Sequence, residues 1–227
     1  MDAENIVIKK IAILGGTGKE GKGLAYRWAK AGYQIIIGSR NKEKADVAVF
    51  ELKGILGNQF EITGATNPEA AQAGDVVVMT VPFGVHKEML ECLKPYVASK
   101  VFIDVSVPLV PPKVTKVQMP AAGSAAQEAQ QILGETVQVV SAFQNISYEH
   151  LLNDKELECD VLVCGSGKPA RMIALELVKA AGLVGWDAGP LENSVVVEGL
   201  TSVLIGLNKQ FGVQAAGIRI TGIPRPK

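Results

Sequence analysis

Aromatic residues make up only 5% of this 227-residue chain. A core with so few rings must be aliphatic, which argues against an aromatic-rich β-sandwich. Neither sign of charge is in excess, since Lys+Arg and Asp+Glu both number 23 and the formal net charge is +0. With no basic field to gather a polyanion, nucleic acid is not an expected partner. Long hydrophobic runs are missing too. Apolar stretches such as Asp75 to Pro82 and Val101 to Leu109 fall short of the roughly 20 residues that cross a membrane. The N-terminus carries Asp2 and Glu4 ahead of Ile6, not a basic region followed by a long apolar one, so no signal peptide and no membrane association are expected and the chain reads as cytoplasmic. The three cysteines, Cys92, Cys159 and Cys164, form no CxxC or Cys/His pairing. That excludes a disulfide framework and a zinc site, and the three are read as buried small hydrophobes.

Glycine, in contrast, is abundant at 24 residues, and short Val/Ile runs alternate with helical stretches. Lys10 to Leu14, Gln34 to Gly38, Glu61 to Gly64, Val76 to Val81 and Val101 to Val105 read as strands. Gly21 to Ala31, Asn41 to Leu56, Pro68 to Ala73 (with Asn67 as N-cap) and Val85 to Leu93 read as the helices between them. Uninterrupted aliphatic strands imply burial on both faces, so the expected fold class is α/β, a Rossmann-like doubly wound parallel sheet. Val107 to Pro112 holds three prolines and is expected to cross the mouth of the sheet as an extended loop. Further on come a helix from Ser124, strands at Val137 to Ser141 and Asp160 to Cys164, and helices at Pro169 to Ala181 and Asn193 to Phe211. The polar stretch from Tyr148 to Glu158 suggests a division into a Rossmann domain, residues 1–147, and a small C-terminal α/β appendage, residues 148–227.

The chemistry concentrates first at Gly16-Thr17-Gly18-Lys19-Glu20-Gly21, a GxGxxG between a strand and a helix. In that context Gly16 permits the turn, Gly18 lets a pyrophosphate approach the backbone, Gly21 lets helix and strand pack closely, and the helix N-terminus faces the phosphates. About 20 residues further on, where an NAD site carries an acidic residue, this chain has Gly38-Ser39-Arg40, with Lys44 one helical turn on. A hydroxyl, a guanidinium and an ammonium suit a 2′-phosphate, so NADP is the expected cofactor. His86 and His150 are the only histidines. Neither sits in a triad, and each is read as an ordinary surface or satisfied histidine. No paired carboxylates are apparent around the cleft-forming loops. Two other function classes remain open, an NADPH-dependent imine or ketone reductase with Tyr148 as proton donor, and a non-catalytic NADP-sensing protein.

The combination of Gly15-Gly16-Thr17-Gly18, Gly38-Ser39-Arg40, Thr80-Val81-Pro82, Ser141 to Asn145, Asp160 to Gly165, Asp187 to Leu191 and Ala216 to Ile220 resembles the NADPH-dependent F420 reductases through nearly the whole chain. The resemblance implies a homodimer that passes hydride between NADP and the deazaflavin coenzyme F420. It further implies that Thr17, Gly18, Lys19, Glu20, Ser39, Arg40 and Lys44 hold the NADP phosphates and that Val81 and Phe83 border the nicotinamide. Val110, Gln144 to Ser147, Ala216 and Gly217 would line the deazaflavin cleft. The chain departs from some members at Gln144, where they have His, at Ser166 to Lys168, and in carrying Met1 to Ile8.

Overall fold

The structure, a computed structural model, describes residues 8–225. The N-terminal stretch that argued against a signal peptide lies outside the described residues, apart from Ile8. Eight strands, β1 (Lys10–Leu14), β2 (Gln34–Ser39), β3 (Ile62–Thr66), β4 (Val76–Met79), β5 (Val101–Asp104), β6 (Gln138–Ser141), β7 (Asp160–Gly165) and β8 (Val184–Asp187), form one sheet in the order β3-β2-β1-β4-β5-β6-β7-β8. The first six are parallel in the 3-2-1-4-5-6 order of a dinucleotide-binding sheet. β7 runs antiparallel to β6 through Val140–Gly165 and Ser141–Cys164, and β8 then pairs parallel to β7. Residues beyond 147 thus extend the same sheet.

Alternate side chains of the strands feed opposite layers. Ile11 and Ile13 face a core shared with α1 (Lys19–Lys30), α2 (Lys42–Leu56) and α6 (Lys168–Ala180). Ala12 and Leu14 face the other layer, made with α3 (Asn67–Ala73), α4 (His86–Leu93) and α5 (Ala125–Leu133). The first layer is pinned by Trp28, fully buried, whose ring meets Phe143 edge-on at 5.7 Å while its Nε1 donates to the Leu177 carbonyl at 2.8 Å. Helix α7 (Ser194–Phe211) packs against β7 and α5 and is bonded to the segment after β6, where Thr201 Oγ1 donates to the Gln144 carbonyl at 2.9 Å. The proline-rich stretch after β5 is irregular, as expected.

Two readings need correction. The N-cap of α3 is Thr66, not Asn67. Thr66 and Glu69 form the reciprocal T-x-x-E capping box. Asn67 is instead buried, its Oδ1 accepting from the Gly15 N–H at 3.2 Å. Among the cysteines only Cys164 is buried. Cys159 is half-buried, and Cys92 is exposed because α4 turns its neighbours Leu90 and Leu93 to the core.

Candidate functional site

The glycine turn between β1 and α1 closes on itself everywhere but outward. A methyl group on Gly16 would fall 2.6 Å from the Ile13 carbonyl oxygen, and one on Gly21 would fall 2.6 Å from the Gly16 Cα. At Gly18 the nearest atom in that direction is the Gly15 carbonyl oxygen, at 3.7 Å. The open space lies where a pyrophosphate would approach the α1 N-terminus. The residue that needs a left-handed backbone is Gly15, at φ 67°, while Gly16 is required by close contact. The turn is also tied to the end of β2, since the Gly16 N–H donates to the Gly38 carbonyl at 3.0 Å. Residues of this geometry therefore fit a dinucleotide.

Around the turn the expected charged groups separate into two settings. Thr17 and Lys44 line a surface pocket of about 500 Å³ between α1 and α2, together with Lys22, which pairs with Glu51 at 2.7 Å. Ser39 is buried beside it and Arg40 is exposed. Lys19 reaches the other way, with its Nζ 4.8 Å from the Tyr148 ring centroid and 3.8 Å from Glu149.

Glu20, half-buried, belongs to a larger cleft of about 760 Å³ that opens directly off the turn. Its carboxyl is pushed up to about 8 by burial, against the pull of the helix N-terminus on which it stands. Thr80, Val81 and Phe83 after β4, Ser106 and Val110 after β5, and Gln144 and Asn145 after β6 form one side of this cleft. Thr201 and Leu204 of α7, Tyr148 and Ala216 form the other. The cleft therefore gathers Val81, Phe83, Val110, Gln144 and Ala216, all sequence candidates. Gly217 does not line it. A methyl group there would meet Cys159 Sγ at 2.7 Å, so this glycine serves the packing of the irregular C-terminal tail against the residue that precedes β7. The tail is anchored by the Asp160 N–H donating to the Ile218 carbonyl at 2.8 Å and the Ile220 N–H donating to Asp160 Oδ2 at 2.8 Å.

Beneath the cleft lies a buried polar group that the sequence reading missed. His86 Nε2 is 2.7 Å from Asp104 Oδ2 and Nδ1 is 3.0 Å from Glu128 Oε2. The two carboxylates hold the imidazole above its ordinary range although burial opposes them. Glu198 of α7, fully buried, accepts from the Ala125 and Ala126 N–H groups at 2.6 and 3.1 Å, capping α5. Burial and the nearby Asp104 push its carboxyl up to about 8. Carboxylates thus do gather under the cleft, contrary to expectation. The available signal was Asp104 itself, a charged residue closing the apolar run Val-Phe-Ile. Among the described residues, no His/Cys/Asp/Glu group could hold a metal ion, and no helix is long and apolar enough to cross a membrane.

Strand order, phosphate turn and adjoining apolar cleft define a Rossmann-type α/β protein of the dinucleotide-binding class. The profile of the family described as "NADP oxidoreductase coenzyme F420-dependent" matches residues 10–108. The chain is 41% identical over 222 residues to an F420-dependent NADP reductase of Methanocaldococcus jannaschii, covering 94% of this chain and 99% of that protein. It is 41% identical over 226 residues to one of Methanothermobacter thermautotrophicus, covering 96% and 97%. The chain belongs to the F420-dependent NADP reductase family. Among solved structures, a candidate F420-dependent NADP-reductase from Arthrobacter sp. FB24 superposes with a TM-score of 0.79 at 19% identity, covering 95% of this chain and all of that one. A reductive aminase from Aspergillus terreus superposes at 0.63 and 16% identity, covering 90% and 62%. At such identities the likeness is one of fold.

Proposed function

We propose that this chain transfers a hydride between NADP(H) and the deazaflavin coenzyme F420. The observation that carries the reading is the continuity of the site. An outward-open phosphate turn runs directly into an apolar cleft, with Glu20 and Thr80 at the junction, in a chain that an F420-dependent relative matches over 94% of its length. The two cofactors supply the reactive carbons, and the chain supplies alignment and exclusion of water. The turn and the α1 N-terminus hold the pyrophosphate, and Ser39, Arg40 and Lys44 favour the 2′-phosphate. Val81 and Phe83 border the nicotinamide, and Val110, Gln144 and Ala216 support the second ring system. The segment 148–227 closes that cleft from the far side. Mixing the protein with NADPH and oxidised F420 should bleach the deazaflavin's visible absorbance, and an inert mixture overturns the reading.

The proposal extends to a soluble homodimer. On α7, Val196, Val203, Leu207 and Phe211 leave an apolar stripe exposed, with Val196 at 65% and Phe211 at 68%, a face that a second copy of this chain would cover. Light scattering should give a dimer mass for the protein and a monomer mass for the Val196→Lys, Val203→Lys double variant. A monomeric parent protein removes the assembly from the proposal.

A further inference from the structure

Asp104 is the last residue of β5 and fully buried, and each of its side-chain oxygens and its carbonyl holds a different part of the cleft. Oδ1 accepts from the Ser106 N–H at 2.9 Å, and Ser106 Oγ in turn donates to the Val81 carbonyl at 3.1 Å. Oδ2 faces His86 Nε2 at 2.7 Å. The Asp104 carbonyl accepts from Gln144 Nε2 at 2.7 Å, which leaves Gln144 Oε1 as the unpartnered end of that amide among the described residues. One residue thus ties together the segments that follow β4, β5 and β6, all three of which line the cleft.

His86 completes the arrangement from the first turn of α4. Its ring lies 5.4 Å from that of Phe83, at 34°, and it separates Asp104 from Glu128. Neither Asp104 nor His86 lines the cleft, so they do not touch the reacting rings. Fully satisfied buried polar groups of this kind admit one geometry, because any other leaves a charge unpaired in a medium of low dielectric. We propose that Asp104 and His86 are positioning residues that fix the nicotinamide end of the dinucleotide through the backbone of Val81 to Phe83 and Ser106. The role rests on the reading of the cleft as the hydride-transfer site. The phosphate end is held by the β1–α1 turn and β2, to which the side chains of Asp104, His86 and Ser106 make no hydrogen bond among the described residues, so a change in these residues acts first on the nicotinamide end.

The test compares His86→Gln, Asp104→Asn and Ser106→Ala with the parent protein in complex with NADPH. Three quantities are read: the Kd for NADPH, the fluorescence anisotropy of the bound nicotinamide, and kcat with F420. For His86→Gln the Kd should stay within about threefold while the anisotropy drops toward that of free NADPH. The rate should fall on the order of 100-fold, as expected for a misplacement of about 1 Å. Asp104→Asn keeps an acceptor for the Ser106 N–H and can donate to a neutral His86, so it should recover most of the anisotropy. Ser106→Ala removes a single hydroxyl, leaves the buried charges paired, and should move anisotropy and rate a few-fold in the same direction. A folded His86→Gln protein with parental anisotropy overturns the proposal. If His86→Gln does not fold, parental anisotropy in Ser106→Ala overturns it instead. Should the parent protein bind NADPH but fail to reduce F420, the functional reading falls, while the anisotropies still decide whether these residues position the ring.

Discussion

The two ends of the site are built on opposite principles. The phosphate turn achieves its shape by leaving side chains out: Gly15, Gly16, Gly18 and Gly21 let the backbone bend, touch and open outward, and the cations Lys19, Arg40 and Lys44 near it are exposed. The cleft floor achieves its shape by burying polar side chains, Asp104, His86 and Glu198, in mutual satisfaction. A turn of the first kind is a property of a few consecutive residues. A floor of the second kind exists only once four separate elements have packed, and it resists any change that leaves one partner alone.

The sharpest way to break this contrast is Gly18→Val. The Cβ of the new side chain would come no closer to the protein than an ordinary contact with the Gly15 carbonyl oxygen at 3.7 Å, so the chain should stay folded, while affinity for NADPH and NADH alike should drop by about 100-fold or more, the loss of roughly 2.7 kcal/mol of binding. An unchanged Kd would show that the open turn is not the phosphate site. A smaller effect is expected of Arg40→Glu, which places a carboxylate beside the proposed 2′-phosphate. NADPH affinity should weaken about tenfold more than NADH affinity, on the scale of one lost charge-assisted hydrogen bond. Equal losses would detach Arg40 from specificity.

The floor is tested more gently, through pH. Glu198 in the folded protein holds its proton up to about 8, well above the value of an exposed glutamate. The folded state therefore binds more protons than the unfolded one, and its stability is fully present below the unfolded pKa and lost as pH rises through the folded one. His86, also raised, adds to the same trend. Melting temperatures should decline between about pH 5 and pH 9, and Glu198→Gln, which keeps an acceptor for one of the two α5 N–H groups and cannot ionise, should lower the starting value but flatten that decline by a few degrees. Parallel curves for the two proteins would mean that Glu198 is ionised in the fold.

The same contrast explains what was legible in the sequence. Val-Val-Val-Met and Ile-Ala-Ile-Leu announce strands buried on both faces, and GxGxxG placed between strand and helix announces the turn, because each is a local pattern with a single physical use. Ser39, Arg40 and Lys44 are proposed for the 2′-phosphate on the same local ground, by their distance from the glycines. His86, Asp104, Glu128 and Glu198 were not. Their pairings span 18, 42 and 73 residues, and nothing local tells a histidine in α4 that its partners lie on β5 and α5. Asn67 fell between the two cases. It was recognised as polar and near a helix start, but the neighbouring Thr66 and Glu69 satisfied that start, and Asn67 was free to reach the turn at Gly15.

The reversal of direction between β6 and β7 bears on how this molecule breathes. The first six strands are stitched along their lengths, whereas the pairing of β6 with β7 is limited to Val140–Gly165 and Ser141–Cys164, with the Ser166 N–H to Val139 carbonyl bond beside them. Transient opening follows the shortest line of stitching, so the amide of Cys164 should trade its hydrogen for deuterium well before that of Ile13 in the centre of β1. The line also divides the cleft, with the ends of β4, β5 and β6 on one side and the tail carrying Ala216 on the other. A small flexure there would change the width of the cleft, and the bonds of Trp28 to the Leu177 carbonyl and of Arg27 to the Ala181 carbonyl would pass part of it to α1, the helix that begins at the phosphate turn.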